Sequence, residues 1–327
     1  LEMGSNDTEI DQVDQAVVSG LDRLTSGAGL FVPSDGEDGL DYTNSTADWH
    51  LQSAEALEQG RVQTGLMFNK QVDMNRISAL SNVTLERFSL GLGLDEDLTA
   101  FLRISIHASE NDSRVGVNLF EGGAELSNAR MASTASSTAR MGSELVLITL
   151  EVHDAGRVNE DLQMTEVMTR PISGGPEWIE VYNDNAFATS LYGWSINTSS
   201  GSTSNEVLLQ GGVIQGHSVA LFTGSLASQE QGNASQMFDL GQYGLLGTGS
   251  MNLLDDGSGV IELRFTRPGK VNPIPNSKAE WGPQAGLPVG LNQVIVWDGT
   301  NTMSSTAWSV QTGPTPGDVF FEPSNAS

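Results

Sequence analysis

Clustered carboxylates are the residues of this chain whose type and spacing best suit chemistry. Asp35, Glu37, Asp38 and Asp41 lie close together in the segment SDGEDGLDY, and carboxylate oxygens are ligands that Ca²⁺ prefers. Their spacing differs from that of an EF-hand loop, and a second acidic group, DDGSG at 255–259, equally suits a tight hairpin turn. Calcium is therefore the only metal or cofactor that the sequence suggests.

No residue pattern indicates a catalytic centre. The four histidines, His50, His107, His153 and His217, are scattered, and the H-E-x-x-H spacing of zinc proteases is absent. The chain also lacks a Walker phosphate loop, a nucleophile elbow and any cysteine, so thiolate chemistry is excluded. Paired carboxylates for glycoside hydrolysis stay open as an alternative, but no pair stands out. We expect a protein that is not an enzyme.

The charge balance excludes several classes of partner. The chain of 327 residues carries 41 Asp and Glu against 15 Lys and Arg, a formal net charge of −26. Nucleic acids and anionic membranes are bound by clustered positive charge, which such a surface does not supply. The acidic excess, with arginine preferred to lysine, suits solubility in high salt or seawater, as in a halophilic or marine archaeon.

Absence of cysteine, acidity and a surface rich in Ser, Thr, Asn and Gly favour a cell-surface or extracellular protein. The chain begins at Leu1 rather than with methionine, so either a leader or anchor precedes it or Leu1-Glu2 is a cloning remnant. No apolar run is long enough to span a bilayer, and we expect membrane attachment only through a segment before Leu1. Exported chains can carry N-glycans at Asn-x-Ser/Thr. The candidate acceptors are Asn6, Asn44, Asn82, Asn111, Asn197, Asn233 and Asn325.

Two helical regions are predicted in the first half of the chain. Apolar residues recur every three or four positions from Thr8 to Leu24, which indicates an amphipathic helix. A longer helical region is predicted from about Ala47 to Leu90, because one stripe of it is apolar, with interruptions at Gly60-Arg61 and Gly65 left open. The stripe consists of Val62, Leu66, Ile77, Leu80 and Phe88.

A small antiparallel sheet is predicted to follow these helices. Apolar residues alternate at 101–107, 115–119 and 144–152, a pattern typical of strands. The small, polar residues of 127–143 suit either an edge strand or a surface loop. Residues 1–155 are thus predicted to form one α+β domain, with long helices before the sheet.

This order of a long helix and a compact, strand-rich head resembles the soluble part of archaeal type IV pilin-like proteins. The resemblance implies a filament subunit whose hydrophobic N-terminal helix packs into the filament or anchors in the membrane. The start of the chain, LEMGSN, lacks that hydrophobic character, so the resemblance implies that the apolar segment lies before Leu1.

The second half of the chain predicts a β-sandwich behind a linker. Residues 153–165 show no sustained periodicity and form the predicted linker. Beyond them, short apolar runs are separated by Gly, Asn, Asp and Pro, which is typical of a sandwich. The predicted strands are Trp178–Tyr182, Tyr192–Ile196, Glu206–Leu209, Ser218–Phe222, Met251–Leu254, Val260–Phe265 and Val294–Trp297.

The stretch EWIEVYN at 177–183 predicts a strand that ends in a turn. Successive side chains of a strand point to opposite faces, so Ile179 and Val181 share the side expected to enter the core. Asn183 begins the turn Asn-Asp-Asn, because short polar side chains tolerate left-handed backbone. Gly193 then indicates a bulge or a close backbone approach before Trp194.

This stretch and the motifs after it resemble a lamin tail domain over residues 164–320. The implied fold is an immunoglobulin-like β-sandwich, and prokaryotic members commonly occur in secreted or surface proteins. The segment 267–293 is longer and richer in proline than the family pattern and predicts a loop insertion. The motifs are EWIEVYN (177–183), SLYGWSI (190–196), GGVIQGHSVALF (211–222), MNLLDDGSGVI (251–261) and AWSVQTGPTPG (307–317).

The resemblance implies structural roles for the residues of the first two motifs and transfers no ligand-binding set. Carboxylates there are expected to bond backbone or a neighbour, and the aromatic side chains are expected to pack. The residues concerned are Glu177, Trp178, Glu180, Tyr182, Asn183, Gly193 and Trp194.

Taken together, the sequence predicts an exported, non-enzymatic structural or adhesive protein that displays a lamin-tail-like sandwich. Its partners would be other protein subunits or surface polymers, and a pilin-like filament subunit is the sharper form of this prediction. The alternative is a secreted accessory module that binds carbohydrate or another polymer for a hydrolase.

Overall fold

β-Strands dominate the computed structural model, and the α-helices of the described chain all precede residue 92. The chain divides into an N-terminal unit (Leu1–Val158 with Asn185–Thr189) and a C-terminal unit (Asn159–Asp184 with Ser190–Ser327). The structure describes residues 3–26, 30–32, 48–59, 61–94, 98–124, 132–153, 162–172, 175–200, 203–209, 211–227, 229, 231–241, 246, 254, 257–266, 271–300, 303–313 and 316–318.

In the described part of the N-terminal unit, four helices precede an antiparallel sheet. The helices are α1 (Met3–Leu24), α2 (Ala54–Gln59), α3 (Met74–Ala79) and α4 (Leu85–Gly91). The strands are β1 (Leu30–Val32), β2 (Arg61–Gln63), β3 (Met67–Phe68), β4 (Gln71–Val72), β5 (Thr99–Ala108), β6 (Asn118–Gly123), β7 (Ala132–Met141) and β8 (Glu144–His153). Four of them form one antiparallel sheet in the order β6-β5-β8-β7.

Helix α1 contains the helix predicted at 8–24, and it packs on one face of this sheet. Val13, Val17 and Leu21 are buried in the same core cluster as Ile148 and Leu150 of β8. The helix lies so close to the strand that a Cβ added at Gly20 would be 2.9 Å from Leu150 Cδ2. The apolar face of the helix, whose residues are spaced by three and four, therefore packs against the alternate apolar residues of the strand.

The long helical region predicted from Ala47 to Leu90 is wrong. Two residues begin new helices inside it: Asp73 accepts a bond from Asn75 N at 2.9 Å at the start of α3, and Thr84 accepts one from Arg87 N at 3.2 Å at the start of α4. Such N-caps stabilise helix starts. The apolar stripe is nevertheless buried in one core, although it comes from strands, turns and separate helices.

The polar stretch at 127–143 contains an edge strand, β7, whose only strand partner among the described residues is β8. The prediction of a strand at 115–119 is correct only for its last residues, because β6 begins at Asn118. Residues Asp112–Arg114 form a 3-10 turn that Asn111 caps by accepting a bond from Ser113 N.

Two sheets make up most of the C-terminal unit. The strands numbered in this part of the chain are β9 (Leu162–Met168), β10 (Trp178–Asn183), β11 (Thr189–Ser190), β12 (Trp194–Ser200), β13 (Thr203–Leu208), β14 (Val213–Ile214), β15 (Val219–Thr223), β16 (Gln236–Asp239), β17 (Gly259–Phe265), β18 (Ile274–Trp281), β19 (Gln293–Trp297) and β20 (Trp308–Thr312). One sheet has the order β16-β15-β10-β9-β19-β20 and the other the order β13-β12-β17-β18.

These two sheets share one hydrophobic core and form a β-sandwich. Ile179 and Val181 of β10 lie in the same buried cluster as Ile196 of β12 and Leu263 of β17. Alternate residues of β12, β15, β17 and β19 contribute to this cluster, as the period of two along a strand predicts. The prediction of a β-rich second half is therefore confirmed, and the arrangement of the two sheets fits the predicted sandwich.

Four strands of the sandwich, β9, β16, β18 and β20, lie where no strand was predicted. β9 begins inside the predicted linker, and nearly all of its residues are buried, so it lacks the alternation that marks a half-exposed strand. β18 lies inside the predicted loop insertion at 267–293, with Pro275 near its start, where proline is tolerated. The strand predicted at 251–254 lies outside the described residues except for Leu254.

Among the residues that the structure describes, no helix is both long and apolar enough to cross a membrane.

Candidate functional site

The calcium candidates Asp35, Glu37, Asp38 and Asp41 lie outside the described residues. Asp255 and Asp256 of the second acidic group lie outside them as well. Within the described part of the chain, no group of three or more His, Asp or Glu side chains could hold a metal ion. Further candidate residues lie in the stretch EWIEVYN at 177–183.

That stretch forms the centre of the six-stranded sheet, and both of its faces are buried. Ile179 and Val181 face the sandwich core, whereas Trp178 and Tyr182 belong to a second apolar cluster on the outer face. We call this second group the outer cluster. It consists of Met168, Trp178, Tyr182, Val219, Leu221, Ala234, Val294 and Val296.

Glu177 precedes the strand and is fully buried. The backbone N–H of Leu254 donates to its carboxylate, with N···O distances of 3.0 and 3.1 Å to the two oxygens. The two residues are 77 positions apart in sequence. Through these bonds Glu177 ties the segment at Leu254 to the start of the inner strand β10.

Glu180 lies on the outer face of β10 and is also fully buried. Thr165 Oγ1 donates to its Oε1 at 2.5 Å, and the backbone N–H of Gly317 donates to its Oε2 at 2.6 Å. The pKa of Glu180 is raised to about 7, chiefly by burial; the hydrogen bonds from Thr165 and Gly317 lower it, and nearby Asp318 adds a smaller upward effect. Glu180 is therefore a carboxyl group that titrates near neutrality.

A second carboxyl group, Glu166, lies directly across from Glu180 in the β9–β10 ladder and is fully buried. Side chains of directly opposite residues share a face, with Cβ atoms about 4.5–5.5 Å apart. No spacing rule selected this pair, since the two residues come from different strands. The one sequence signal was an acid inside the apolar run LQMTEVM.

A segment near the C-terminus covers this carboxyl pair, and we call it the C-terminal clamp (Pro316–Asp318). Asn233 donates its backbone N–H to Pro316 O at 2.9 Å and its Nδ2 to Asp318 Oδ1 at 2.7 Å. Gly317 has a φ of +87°, and a Cβ there would be 2.1 Å from Ala234 N. Glycine is thus required for the clamp to reach Glu180.

The end of β10 is fixed by side chains that bond the turn before β15. Asn183 Nδ2 donates to Ile214 O and to Gln215 O, each at 3.1 Å. Tyr182 Oη lies 3.4 Å from Nδ1 of His217, which has a φ of +49°. Burial raises the pKa of Tyr182 to about 12 and lowers the pKa of His217, so both groups are neutral at pH 8.

Gly193 provides a close backbone approach. Its φ is +84°, and a Cβ there would lie 3.1 Å from Thr266 O, while Thr266 N donates to Gly193 O at 2.8 Å. Trp194 follows with no exposed surface, and its ring lies 5.1 Å from that of Phe265 between centroids.

The sequon asparagines differ in how available their side chains are. Asn197 is buried and donates to Ser204 Oγ at 3.1 Å, and the side chain of Asn233 is engaged by Asp318. Asn82 is half-buried, whereas Asn111 is exposed on its 3-10 turn. Asn44, Asn325 and the side chain of Asn6 lie outside what the structure describes. Asn111 is thus the described acceptor most open to modification.

A different kind of surface occurs on the outer face of the N-terminal sheet, opposite helix α1. Ser136 Oγ lies 3.0 Å from Thr149 Oγ1, and Arg103 Nε donates to Glu121 Oε1 at 3.0 Å. The Arg103 guanidinium also lies 5.9 Å from the centre of the Phe101 ring. These residues of four adjacent strands form a hydroxyl-rich and charged surface, which we call the polar sheet face.

Glu180 gives a pH-dependent stability that can be measured. Because its pKa is raised from 4.5 to about 7 in the folded protein, its contribution to stability is complete below pH 4.5 and is lost as the pH rises through 7. The loss amounts to about 3 kcal/mol. We expect Glu180→Gln, which stays neutral, to gain that amount relative to wild type between pH 4.5 and 8.5 in urea unfolding. A difference between the two proteins that does not change with pH would contradict the assignment.

Comparisons with known proteins add little to this geometry. No protein-family model matches the chain, and no curated protein matches it. Among solved structures, a DUF4876 family protein from Bacteroides thetaiotaomicron VPI-5482 is similar, with 11% sequence identity and a TM-score of 0.32, over 69% of this chain and 90% of that one. At that TM-score the likeness carries no argument about activity or ligand.

Proposed function

We propose that this chain is an exported, non-enzymatic structural or adhesive protein of the cell surface, and that its C-terminal unit is a lamin-tail-like sandwich of the immunoglobulin kind. The proposal is supported chiefly by the way in which the carboxylates of the motif are bonded. Glu177 and Glu180 are fully buried, and each accepts a backbone N–H from a distant segment. Carboxylates held in this way support a scaffold, whereas catalytic carboxylates must reach a substrate.

The sharper form of the proposal is a subunit of a pilin-like filament, with other subunits or surface polymers as partners. It is supported by an N-terminal helix packed on an antiparallel sheet and by the strongly acidic composition. A filament subunit needs an apolar segment of about 20 residues. We therefore expect the gene to encode such a segment immediately before Leu1.

Expression of the complete gene in its native host tests the proposal. Antibody labelling of intact cells, combined with protease treatment of those cells, reports whether the protein is exposed outside. We expect labelling before protease treatment and loss of the band after it. Protein found only in the cytosolic fraction would refute export, and catalysis traced to the chain would refute the non-enzymatic role.

The alternative is an accessory module that binds carbohydrate or another polymer for a hydrolase. The polar sheet face favours it, because hydroxyl and charged groups on a flat surface match the hydroxyls of a polysaccharide. Column retention on immobilised polysaccharides tests this function. The absence of retention on every polymer tried would count against it and would leave the scaffold proposal intact.

A further inference from the structure

A cleft of about 360 Å³ opens at one end of the polar sheet face. It lies beside the turn between β7 and β8, where β5 also ends. Its volume is at the lower end of the range of small-molecule sites, about 300–1,000 Å³. The residues that line it are Ala108, Ser109, Glu110, Arg140, Ser143, Glu144 and Leu145.

Arg140 is the notable group in this cleft. It is exposed at the end of β7 and makes no hydrogen bond or ion pair with any described residue. Other arginines of the same unit are engaged: Arg103 by Glu121 and Arg87 by Glu58. An exposed arginine that pairs with none of the described carboxylates is available for a carboxylate from outside.

The acidic residues of the cleft do not neutralise Arg140. Glu144 Oε1 receives bonds from Arg114 Nε and from Ser109 Oγ, each at 3.0 Å, so its charge is largely compensated by Arg114. Glu110 remains on the rim as a hydrogen-bond acceptor. Within the described part of the chain, the cleft thus combines one unpaired guanidinium with hydroxyl groups and one acceptor.

From this arrangement we propose that the cleft binds a saccharide that carries a carboxylate, such as a uronate. The planar guanidinium of Arg140 matches a carboxylate through two parallel hydrogen bonds, while Ser143 and Glu110 match sugar hydroxyls as donor and acceptor. A singly charged carboxylate suits one guanidinium, whereas a doubly charged phosphate would meet Glu110 with too little positive charge to compensate. The inference does not depend on export or on filament assembly.

The test is a titration of the chain with glucuronate, followed by NMR at the amides of Ser109, Arg140 and Ser143. Salt is held at a constant, high concentration. This screens the long-range repulsion between the ligand and a chain with a net charge of −26. We expect saturable shifts at these amides with a Kd on the order of 1 mM. Arg140→Gln should weaken binding at least about tenfold, the scale of one lost charged contact.

Three controls make the outcome decisive. Arg103→Gln removes an exposed arginine of the same sheet that is paired with Glu121, and it should change the affinity less than about twofold. Glucose should not bind detectably, and glucose 6-phosphate should bind more weakly than glucuronate. The proposal fails if the cleft amides do not shift, if Arg140→Gln binds like wild type, or if either control ligand binds as tightly as glucuronate.

Discussion

Replacing Trp194 with alanine should lower the free energy of unfolding of the C-terminal unit by about 3–5 kcal/mol. The side chain has no exposed surface and lies in the core between the two sheets, with its ring against Phe265. Loss of so large a buried group removes its transfer free energy and leaves a cavity that β-sheets close poorly. The effect is measured by unfolding the protein in guanidinium and monitoring the hydrogen exchange of the β12 and β17 amides.

A matched control lies two residues away. Tyr192 is 72% exposed, so Tyr192→Ala should change the free energy of unfolding by less than about 0.5 kcal/mol. Equal effects of the two substitutions would show that Trp194 is not between the sheets and would undermine the sandwich architecture itself.

Phe187→Ala should destabilise the N-terminal unit by a comparable amount, about 3–5 kcal/mol. Phe187 is fully buried in the core of that unit. Its ring centre lies 4.6 Å from that of Phe88 and 4.9 Å from that of Phe120, and such aromatic contacts add to the burial term. Hydrogen exchange at β5 and β8 amides reports the stability of this unit separately.

The control for this substitution is Phe68→Ala in β3, because Phe68 is 55% exposed. It removes the same atoms from the surface and should cost less than about 1 kcal/mol. If Phe187→Ala left exchange in β5 and β8 unchanged, the assignment of 185–189 to the N-terminal unit would be wrong.

That assignment also marks a limit of sequence reasoning. The sequence predicted the strand at 178–182, because alternation is a local signal. The turn expected to begin at Asn183 starts later, since Asn183 is the last residue of β10. The sequence could not predict that Phe187, a few residues after β10, joins a core formed by Phe88 and Phe120. Which core an apolar residue enters is decided by contacts far apart in sequence, and such contacts leave no local period.

The N-terminal helices illustrate a related limit. The stripe that includes Val62, Ile77 and Phe88 was correctly predicted as buried, yet it does not belong to one helix. Spacing by multiples of three and four also arises by chance when short helices and turns follow one another. The N-caps at Asp73 and Thr84 were visible in the sequence and would have divided the region.

The candidate sites likewise include residues that local sequence patterns predicted and residues that only the tertiary structure brings together. Buried roles for Trp178 and Trp194 followed from the motif, whereas the Glu166–Glu180 pair depends on strand register and the C-terminal clamp on a contact between residues 137 apart in sequence. Arg140 gave no signal in the sequence either, because the role proposed for it depends on its lack of an ion pair with any described residue. Strand register and ion pairing are tertiary properties. The sequence motifs therefore could not predict these candidate sites.

The central claim is that the motif carboxylates hold the backbone of the sandwich together. Hydrogen exchange of two amides, Leu254 and Gly317, tests it most directly, because these N–H groups donate to Glu177 and Glu180. We predict slow exchange of both in the wild-type chain, with Glu177→Ala accelerating Leu254 alone and Glu180→Ala accelerating Gly317 alone. Exchange of both amides at the rate of an unstructured peptide in the wild-type chain would contradict the claim.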